Sequence, residues 1–294
     1  MEREVEIEPG VRLWAEDLPA LTTGPGSGGP APVLLVADPD TSGLSWPDEL
    51  VELLRARHRV IRYDHRDTGR STRGFDRRPY EVADLAADVP ALLDTLGVEQ
   101  VHAVGFGDGA RLVQLLLLDA PGRLRSATLL CTAALGAEDE VYAGALPRAS
   151  RDVRRMWTER GDARDERGEL VWRVEYRRRL HGAPDGFDRA WTTAQERREM
   201  AHAGRTEPAV VHAQADPGVF ERAGELAGVT TPTLVVEGPD DPVYPPPHAA
   251  HLAGLIGPAA QAVAVDGLGH ALVPSLLPTI ATLVLDHADD CEPV

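Results

Sequence analysis

The sequence of 294 residues contains no lysine, only two cysteines and few aromatic residues, which make up 5% of the chain. Without lysine, Schiff-base catalysis through a lysine amine is excluded. Cys131 lies in an apolar run and Cys291 lies near the C-terminus. Two such residues are too few for a disulfide framework or a cysteine-based metal cluster. We therefore expect no metal site, and a reducing compartment fits the cysteine content.

Basic charge and long apolar runs are also scarce. The 30 basic residues face 47 acidic ones, which gives a formal net charge of −17. Nucleic acids and anionic membranes are bound through basic patches, so neither is an expected partner. No apolar run approaches the roughly 18 residues of a membrane span, and the first four residues lack the apolar core of a signal peptide. The sequence thus predicts a cytoplasmic protein that binds a small molecule, and it leaves the oligomeric state open.

What the sequence does contain is an alternation of short apolar runs with segments of helical spacing. After a pair of strands over residues 2–18, such runs predict strands at 32–37, 59–63, 100–105, 126–131, 231–236 and 261–265. Helical spacing is found at 47–57, 82–96 and 111–119. Strands that alternate with helices form parallel sheets. We therefore predict an α/β fold in which a mostly parallel, eight-stranded sheet is flanked by helices.

The alternation is interrupted between about residues 136 and 226, where arginine-rich helical stretches carry Trp157, Trp172 and Trp191. This pattern predicts that residues 136–226 form an inserted helical cap. The predicted core then comprises residues 1–135 and 227–294. A chain with 43% hydrophobic residues can fill such a core as one large domain.

A glycine-rich turn, Gly105-Phe106-Gly107-Asp108-Gly109, leads from a predicted strand into a helix. It has the frame G-x-S-x-G of a nucleophile elbow, in which glycines allow the tight turn that presents a serine. The alternative is the phosphate-binding loop of a dinucleotide fold. That loop belongs near the first strand, and Asp108 would repel an anion. We therefore interpret the segment as an elbow with Gly107 at the nucleophile position.

Two later segments match the chain order of such enzymes, which is nucleophile, acid, histidine. Asp240 and Asp241 follow the run at 231–236, and His270 follows the run at 261–265. We predict that His270 is the catalytic base and that Asp241 orients it, with Asp240 as the second choice.

Several segments resemble the α/β-hydrolases, and in particular the aclacinomycin methylesterases that tailor anthracycline polyketides in actinomycetes. The similar segments are Arg62 to Ser71, Ala201 to Gly204, Asp241-Pro242, His248, His251 to Ile256 and Gly269 to Leu272. The resemblance extends over nearly the whole chain. It implies the α/β-hydrolase fold, His270 as the family's histidine, Asp241 as its acid, and a serine where this chain has Gly107. The substrate stays open, because a fold does not define a function.

A second departure from the family follows the run at 32–37. The resemblance implies a glycine-rich loop there, whose N–H group helps to bind the oxyanion, whereas this chain has Asp38-Pro39-Asp40. Proline has no N–H to donate, and carboxylates raise the energy of a nearby oxyanion. Two separate departures in one mechanism indicate natural divergence and argue against an ordinary serine esterase.

Three hypotheses fit such a pocket. The first is a cofactor-free tailoring enzyme that uses His270, Asp241, Asp108 and Asp38 for proton transfer, because crowded carboxylates cannot all ionise. It would cyclise, rearrange, dehydrate or decarboxylate a bulky apolar substrate such as a polyketide. The second is a catalytically silent binding protein. The third is a hydrolase that uses an activated water or another nucleophile, and the candidates are Thr41, Ser42, Cys131 and Asp108.

The predicted substrate-binding residues are Phe106, Asp40, Trp46, Cys131 and His202. Aspartates also cap helix N-termini, and this simpler role is the alternative for the aspartates of both loops. His202 is equally well interpreted as a solvated helix residue. We expect His65 and Arg66 to be structural.

Overall fold

The computed structural model describes residues 1–22, 29–205, 212 and 221–293, and within them eight strands form one sheet. The strands are β1 (Glu2–Glu8), β2 (Val11–Leu18), β3 (Val33–Val36), β4 (Val60–Tyr63), β5 (Val101–Phe106), β6 (Leu124–Leu130), β7 (Thr233–Glu237) and β8 (Ala260–Ala264). Their order in the sheet is β1-β2-β4-β3-β5-β6-β7-β8. Strand β2 pairs antiparallel with β1 and β4, and the other pairs are parallel. The predicted α/β fold with a mostly parallel, eight-stranded sheet is confirmed.

The central strands are buried on both faces of the sheet. In β3, Leu34 and Val36 belong to one apolar cluster, whereas Val33 and Leu35 belong to another, as the two-residue period of a strand requires. Helices α1 (Asp48–Leu54) and α9 (Leu277–Asp290) cover one face. Helices α2 (Val82–Thr95), α3 (Asp108–Asp119) and α8 (His248–Ile256) cover the other. This packing makes the carboxyl ends of the parallel strands a firm platform for side chains.

Among the residues that the structure describes, four α-helices lie between β6 and β7. They are α4 (Ala137–Tyr142), α5 (Arg151–Thr158), α6 (Glu166–His181) and α7 (Arg189–Ala203). Asp165 and Asp188 begin the two longest ones, because their side chains accept backbone N–H groups of the first turn at 2.7 and 2.9 Å, as N-caps do. The predicted cap also includes residues 206–211 and 213–220, which lie outside the described residues. In the described part of the chain, no helix is long and apolar enough to cross a membrane.

Helix α7 is fastened to the first turn of helix α1 and to the loop after β3. The Arg198 guanidinium donates to the Asp48 carboxylate at 2.6 Å, and the Trp191 ring N–H donates to Glu49 at 3.0 Å. The Gln195 amide donates to a backbone oxygen in the loop after β3. These contacts place one face of α7 directly above the carboxyl ends of the strands.

Candidate active site

Four segments meet at the carboxyl ends of the parallel strands. Asp38 follows β3, Gly107 follows β5, Asp241 follows β7 and His270 follows β8. Ligands of open parallel sheets bind at this edge. The structure therefore brings together the residues that the sequence assigns to the catalytic site.

The turn between β5 and α3 is a close approach of backbones. A side-chain carbon added to Gly105 would lie 2.4 Å from the Ala110 Cα atom, and one added to Gly109 would lie 2.4 Å from the backbone oxygen of Ala37. Gly107, between them, has a φ of +57°. No side chain fits at either flanking position, so both residues must be glycine. The left-handed backbone at Gly107 produces the sharp turn of an elbow.

The Asp38 carboxylate occupies the space beside Gly107. A side-chain carbon on Gly107 would lie 2.4 Å from Asp38 Oδ1. The same oxygen accepts a hydrogen bond of 2.7 Å from the backbone N–H of Asp108, which is the first amide of α3 and has no partner within the helix. In a nucleophile elbow this amide is one of the two oxyanion donors. Asp38 thus takes both the space of a nucleophile side chain and one oxyanion-binding position.

Asp38 has a raised pKa and is a much weaker acid here than an exposed aspartate. Burial beneath the cap raises the pKa of Asp38 to about 7, and the Asp40 and Asp108 carboxylates raise it as well. His270 and the hydrogen bond from the Asp108 amide oppose this rise. Both protonation states of Asp38 are therefore populated near neutral pH, which is the condition for a general acid or base.

His270 is held by Asp241. Its Nδ1 atom lies 2.9 Å from Asp241 Oδ2, and Asp241 Oδ1 accepts the backbone N–H groups of Val243 and Tyr244 at 2.7 and 3.0 Å. Both side chains are buried. Burial lowers the pKa of His270, but the Asp241 carboxylate and the other carboxylates of the site outweigh it, and the pKa is raised overall. The Nε2 atom is left as the free nitrogen of a firmly oriented ring.

Asp108 stands at the mouth of the site as a charged group. Its side chain is 47% exposed and lies 3.6 Å from the Arg111 guanidinium. Its Oδ1 atom accepts a hydrogen bond of 2.8 Å from the Tyr244 hydroxyl, and the Tyr244 ring packs edge-on against His270. The cap position of α3 belongs to Gly107, without a side-chain hydrogen bond. Asp108 therefore positions Tyr244 and contributes charge, and it does not cap its own helix.

Asp40 joins the loop after β3 to the cap. It forms an ion pair with Arg160, which follows α5, and the Arg160 guanidinium also lies 6.0 Å from the centre of the Tyr176 ring. The short helix Gly43–Ser45 after this loop is capped by Ser42 and not by an aspartate. The capping role considered for Asp40 is therefore wrong.

A cavity of about 540 Å³ separates the sheet edge from the cap, a size that suits a bulky small molecule. Asp38, Asp108 and His270 lie in its floor. Its aromatic lining includes Trp172 and Tyr176, whose rings stack with centres 5.2 Å apart. The further charged residues of its wall include Arg160, Arg177, Glu196 and Glu199. The sequence predicted an apolar substrate, but these charged residues make the cavity suitable for a substrate that also carries polar groups.

Sequence reasoning missed a buried charged cluster in the cap. Arg177 of α6 donates to Glu196 of α7 at 2.6 Å and lies 3.6 Å from Glu199 Oε1. Burial and then the neighbouring Glu196 raise the pKa of Glu199 to about 7, against the arginines nearby. The three-residue spacing of the two glutamates is visible in the sequence. Only the fold shows that this face of α7 lies over the cavity.

Two predicted substrate-binding residues, His202 and Cys131, line neither this cavity nor the smaller pocket beside it, so these predictions are wrong. His202 is buried, with Nε2 2.7 Å from the Asp64 carboxylate and its ring packed edge-on against Trp14. It is neither in the pocket nor solvated, because it fastens the cap to the core. Cys131 is buried beneath the site, where its thiol donates to the backbone oxygen of Gly269. Burial raises the pKa of the Cys131 thiol well above its ordinary value, which makes it inert as a nucleophile.

Phe106 and Trp46 lie beside the main cavity, in the wall of a smaller pocket of about 40 Å³ that also contains Asp38. Their rings meet edge to face with centres 6.3 Å apart, and the Phe106 ring lies 5.1 Å from that of His270. These aromatic side chains therefore support the base and close the floor of the site.

The remaining candidates have structural partners. The Thr41 hydroxyl donates to a backbone oxygen of its own loop at 3.0 Å, and Ser42 is the cap already described. Asp240 donates its backbone N–H to the loop after β8. His65 Nε2 lies 2.9 Å from the backbone oxygen that follows β3, and Arg66 pairs with a carboxylate of α2. The contacts of His65 and Arg66 hold parts of the core together, so both residues have the structural role that was expected.

Comparisons with known proteins agree on one family. The sequence model of the alpha/beta hydrolase fold matches residues 26–274. Rhodomycin D methylesterase DnrP of Streptomyces peucetius is 39% identical over 290 residues, which cover 94% of this chain and 95% of that protein. Rhodomycin D methylesterase DauP of Streptomyces sp. strain C5 is 38% identical over 292 residues, with the same coverage of 94% and 95%.

A solved structure shows the same fold. The meta-cleavage product hydrolase CumD from Pseudomonas fluorescens IP01 superimposes with a TM-score of 0.74, over 99% of this chain and 98% of that one. The two sequences are 17% identical, so this likeness concerns the fold alone.

Proposed function

This chain belongs to the alpha/beta hydrolase family, and we propose that it acts there as a cofactor-free tailoring enzyme that transfers protons without a covalent intermediate. Its relatives DnrP and DauP are methylesterases that act on rhodomycin D. The proposal therefore keeps their class of substrate, an anthracycline-type polyketide, and changes the reaction.

The proposal depends on one observation, the position of the Asp38 carboxylate between Gly107 and the Asp108 amide. Acyl transfer at an elbow needs a nucleophile and free oxyanion donors. Here the nucleophile position has no side chain, and one donor already binds a carboxylate. The loss of a single oxyanion donor costs on the order of 3 kcal/mol of transition-state stabilisation, so covalent ester hydrolysis is strongly disfavoured.

The groups that remain form an acid and a base. Neutral His270, oriented by Asp241, accepts a proton at Nε2 from a C–H group next to a substrate carbonyl. The electron pair of that bond forms the C=C bond of an enol while protonated Asp38 donates its proton to the carbonyl oxygen. General acid–base catalysis of this kind contributes typically 10² to 10⁴ in rate. Cyclisation and dehydration of polyketides can each proceed from such an enol. Decarboxylation of a β-keto acid instead forms an enol, when the electron pair of the broken C–C bond becomes the C=C bond and Asp38 protonates the carbonyl oxygen.

The cavity supports a large aromatic substrate that also carries polar groups. The stacked rings of Trp172 and Tyr176 offer a flat apolar wall, on which a fused ring system packs well. Arg160 and Arg177 lie in the same cavity and are suited to substrate oxygens, since guanidinium groups bind oxygen acceptors strongly.

A second candidate function is ester hydrolysis by a water molecule that His270 activates. The preserved contact between His270 and Asp241 and the methylesterase activity named for the relatives favour it. The occupied Asp108 amide speaks against it, because the oxyanion would lack that donor.

Incubation with rhodomycin D and with aromatic β-keto esters in deuterium oxide tests the proposal. We expect deuterium uptake or ring closure without release of methanol, and loss of both in Asp38→Asn and His270→Ala. The variant Cys131→Ala is the matched control that should keep the activity. Release of methanol that survives in Asp38→Asn would establish the hydrolase instead. Tight binding without any conversion would show a binding protein and overturn the proposal.

A further inference from the structure

A second cluster of ionisable side chains lies at the opposite edge of the sheet. His58 precedes β4, His102 is the second residue of β5, and Glu292 follows α9. A strand rises about 3.3 Å per residue, so His102 lies roughly 16 Å from Gly107 at the other end of β5. The cluster is therefore separate from the candidate active site.

We propose that His58, His102 and Glu292 bind a divalent transition-metal ion. Each residue offers a ligand atom, and these atoms lie within 4.8 Å of one another. Two imidazoles and a carboxylate are the donor set that zinc prefers among the common protein-bound ions. Both histidines are buried, whereas Glu292 is 22% exposed, which leaves a path for the ion along the chain end.

The spacing between two of the three ligand atoms fits after a small movement of one side chain. Zinc bonds of about 2.0–2.2 Å place tetrahedral ligand atoms about 3.4 Å apart. His102 Nε2 lies 2.9 Å from Glu292 Oε1, so the ion requires an opening of about half an ångström. Glu292 follows the last helix, and its Oε1 atom also accepts the backbone N–H of Ala31 at 2.6 Å. The movement therefore changes this hydrogen bond and leaves the sheet unchanged.

The far sides of both rings carry the partners of metal-binding histidines. His58 Nδ1 lies 2.8 Å from the backbone oxygen of Ala31, and His102 Nδ1 lies 2.8 Å from the Ser126 hydroxyl. Histidine ligands usually donate their second N–H to such an oxygen, which fixes the ring and leaves the other nitrogen for the ion. Both Nε2 atoms are thereby directed at the carboxylates of the chain end.

Hydrogen-bond accounting at His58 is compatible with a bound cation, although a ring with two N–H groups would satisfy the same two acceptors. Its Nδ1 atom faces the Ala31 oxygen and its Nε2 atom lies 2.9 Å from Asp289 Oδ1. Both partners accept hydrogen bonds, but a neutral imidazole has one N–H to donate. An ion bound at Nε2 removes this mismatch, and it places Asp289 next to a positive charge.

Such an ion would join the end of the chain to β4 and β5. Metal binding by preformed ligands of the folded state stabilises that state, because the ligands are not assembled in the unfolded chain. We therefore assign the site a structural role. It does not depend on the proposed catalytic function.

The test is a titration of metal-free protein with zinc chloride. We expect about one zinc ion per chain after equilibrium dialysis, a zinc-dependent rise in Tm, and a cobalt(II) absorption spectrum typical of four ligands. In Glu292→Gln, zinc affinity should fall at least ~10-fold, since changes around a metal site cost this much or more. Catalytic activity should not change in this variant.

The matched control is Cys291→Ser, because a neighbouring thiol could bind zinc by itself. This variant should bind zinc as the parent does. His102→Gln should also lose zinc, and if it fails to fold, Glu292→Gln alone decides. A parent protein that retains no zinc would overturn the proposal. So would an equal response in parent and Glu292→Gln, which would leave a buried hydrogen-bonded cluster that only holds the chain end.

Discussion

Asp38 Oδ1 accepts the backbone N–H of Asp108 at 2.7 Å, and this bond holds a carboxylate at the N-terminus of α3. A helix N-terminus favours negative charge through its free amides and its dipole. In an esterase that preference serves the transient oxyanion, whereas here it serves a side chain of the protein itself. The consequences can be measured in the following ways.

Gly107→Ser should not create an efficient esterase. The new side chain would meet Asp38 Oδ1 at 2.4 Å in a left-handed backbone, and we expect a loss of about 1–3 kcal/mol of stability from the crowding and the strain. Hydrolysis of p-nitrophenyl butyrate should stay at the level of the parent protein. The double variant Gly107→Ser/Asp38→Gly removes the clash and frees the amide, so it should be more stable and more active than the single variant. Strong hydrolysis by the single variant would contradict our interpretation of Asp38.

Asp38→Asn should lower kcat/KM by about 10²–10⁴ if Asp38 is the general acid. The fold should persist, because the asparagine oxygen can still accept the Asp108 N–H. In the parent protein kcat/KM should fall above pH about 7, where Asp38 loses its proton. It should also fall at acidic pH, because the raised pKa of His270 leaves the base protonated there. The alkaline decline should vanish in the variant. Asp40→Asn removes a carboxylate that raises the pKa of Asp38, so it should move the same decline to lower pH. An unchanged pH profile in Asp38→Asn would exclude Asp38 as the acid.

Glu199→Gln should stabilise the protein at alkaline pH and not at acidic pH. The pKa of Glu199 is raised from 4.5 to about 7, so the folded protein binds this proton more tightly than the unfolded chain. The free energy of unfolding therefore decreases as the pH rises through this range. The variant has no carboxyl group to titrate at this position, so its stability does not show this decrease. Thermal unfolding between pH 5 and pH 8 should show a growing advantage in Tm for the variant.

The matched control is Glu175→Gln, for which we expect a change in stability of the opposite sign. Hydrogen bonds from Arg178 and Arg179 lower the pKa of Glu175 to about 2, so its charge stabilises the fold above its ordinary pKa of 4.5. This variant should lose stability at neutral pH. If the two variants shifted Tm in the same direction at pH 8, the buried environment assigned to Glu199 would be wrong.

Cys131→Ala should leave kcat/KM within about twofold of the parent value, because the thiol is buried outside the cavity and has a raised pKa. Iodoacetamide at pH 8 should modify Cys291 first and reach Cys131 only after unfolding. Mass mapping of the modified peptides gives the result. Inactivation that follows the modification of Cys131 in the folded protein would restore it as a candidate nucleophile.

The chain order and the glycine spacing carried much information in this sequence. Gly105 and Gly109 indicated an elbow because only glycine fits where Ala110 and Ala37 approach so closely. The order of elbow, acid and histidine then predicted the pairing of His270 with Asp241, since connections in parallel sheets bring strand ends to one edge.

Contacts between distant elements could not be predicted in this way. The bond from Asp108 to Asp38 exists because β3 and β5 are neighbours, with Val36 opposite Gly105, and no local pattern encodes that pairing. His202 lies on α7, and the helical pattern of that segment does not show which side of the helix is covered by the core. In the structure, the loop that contains Asp64 covers the side with His202. Whether a side chain is buried by a remote segment depends on tertiary packing, and the hydrophobic period of a helix or strand carries no information about that packing.

The shared space of Gly107 and Asp38 also restricts the order in which such a protein can evolve. An aspartate that arrives at position 38 while a serine is present at 107 meets a steric conflict and removes an oxyanion donor at once. A lineage that began with a serine at position 107 and accepted one substitution at a time would therefore lose the serine before it acquired the aspartate. The reverse route is disfavoured as well, because a serine that returns before position 38 changes carries the cost of about 1–3 kcal/mol expected for Gly107→Ser. The two positions would then form an epistatic pair, because the cost of a substitution at one of them depends on the residue at the other.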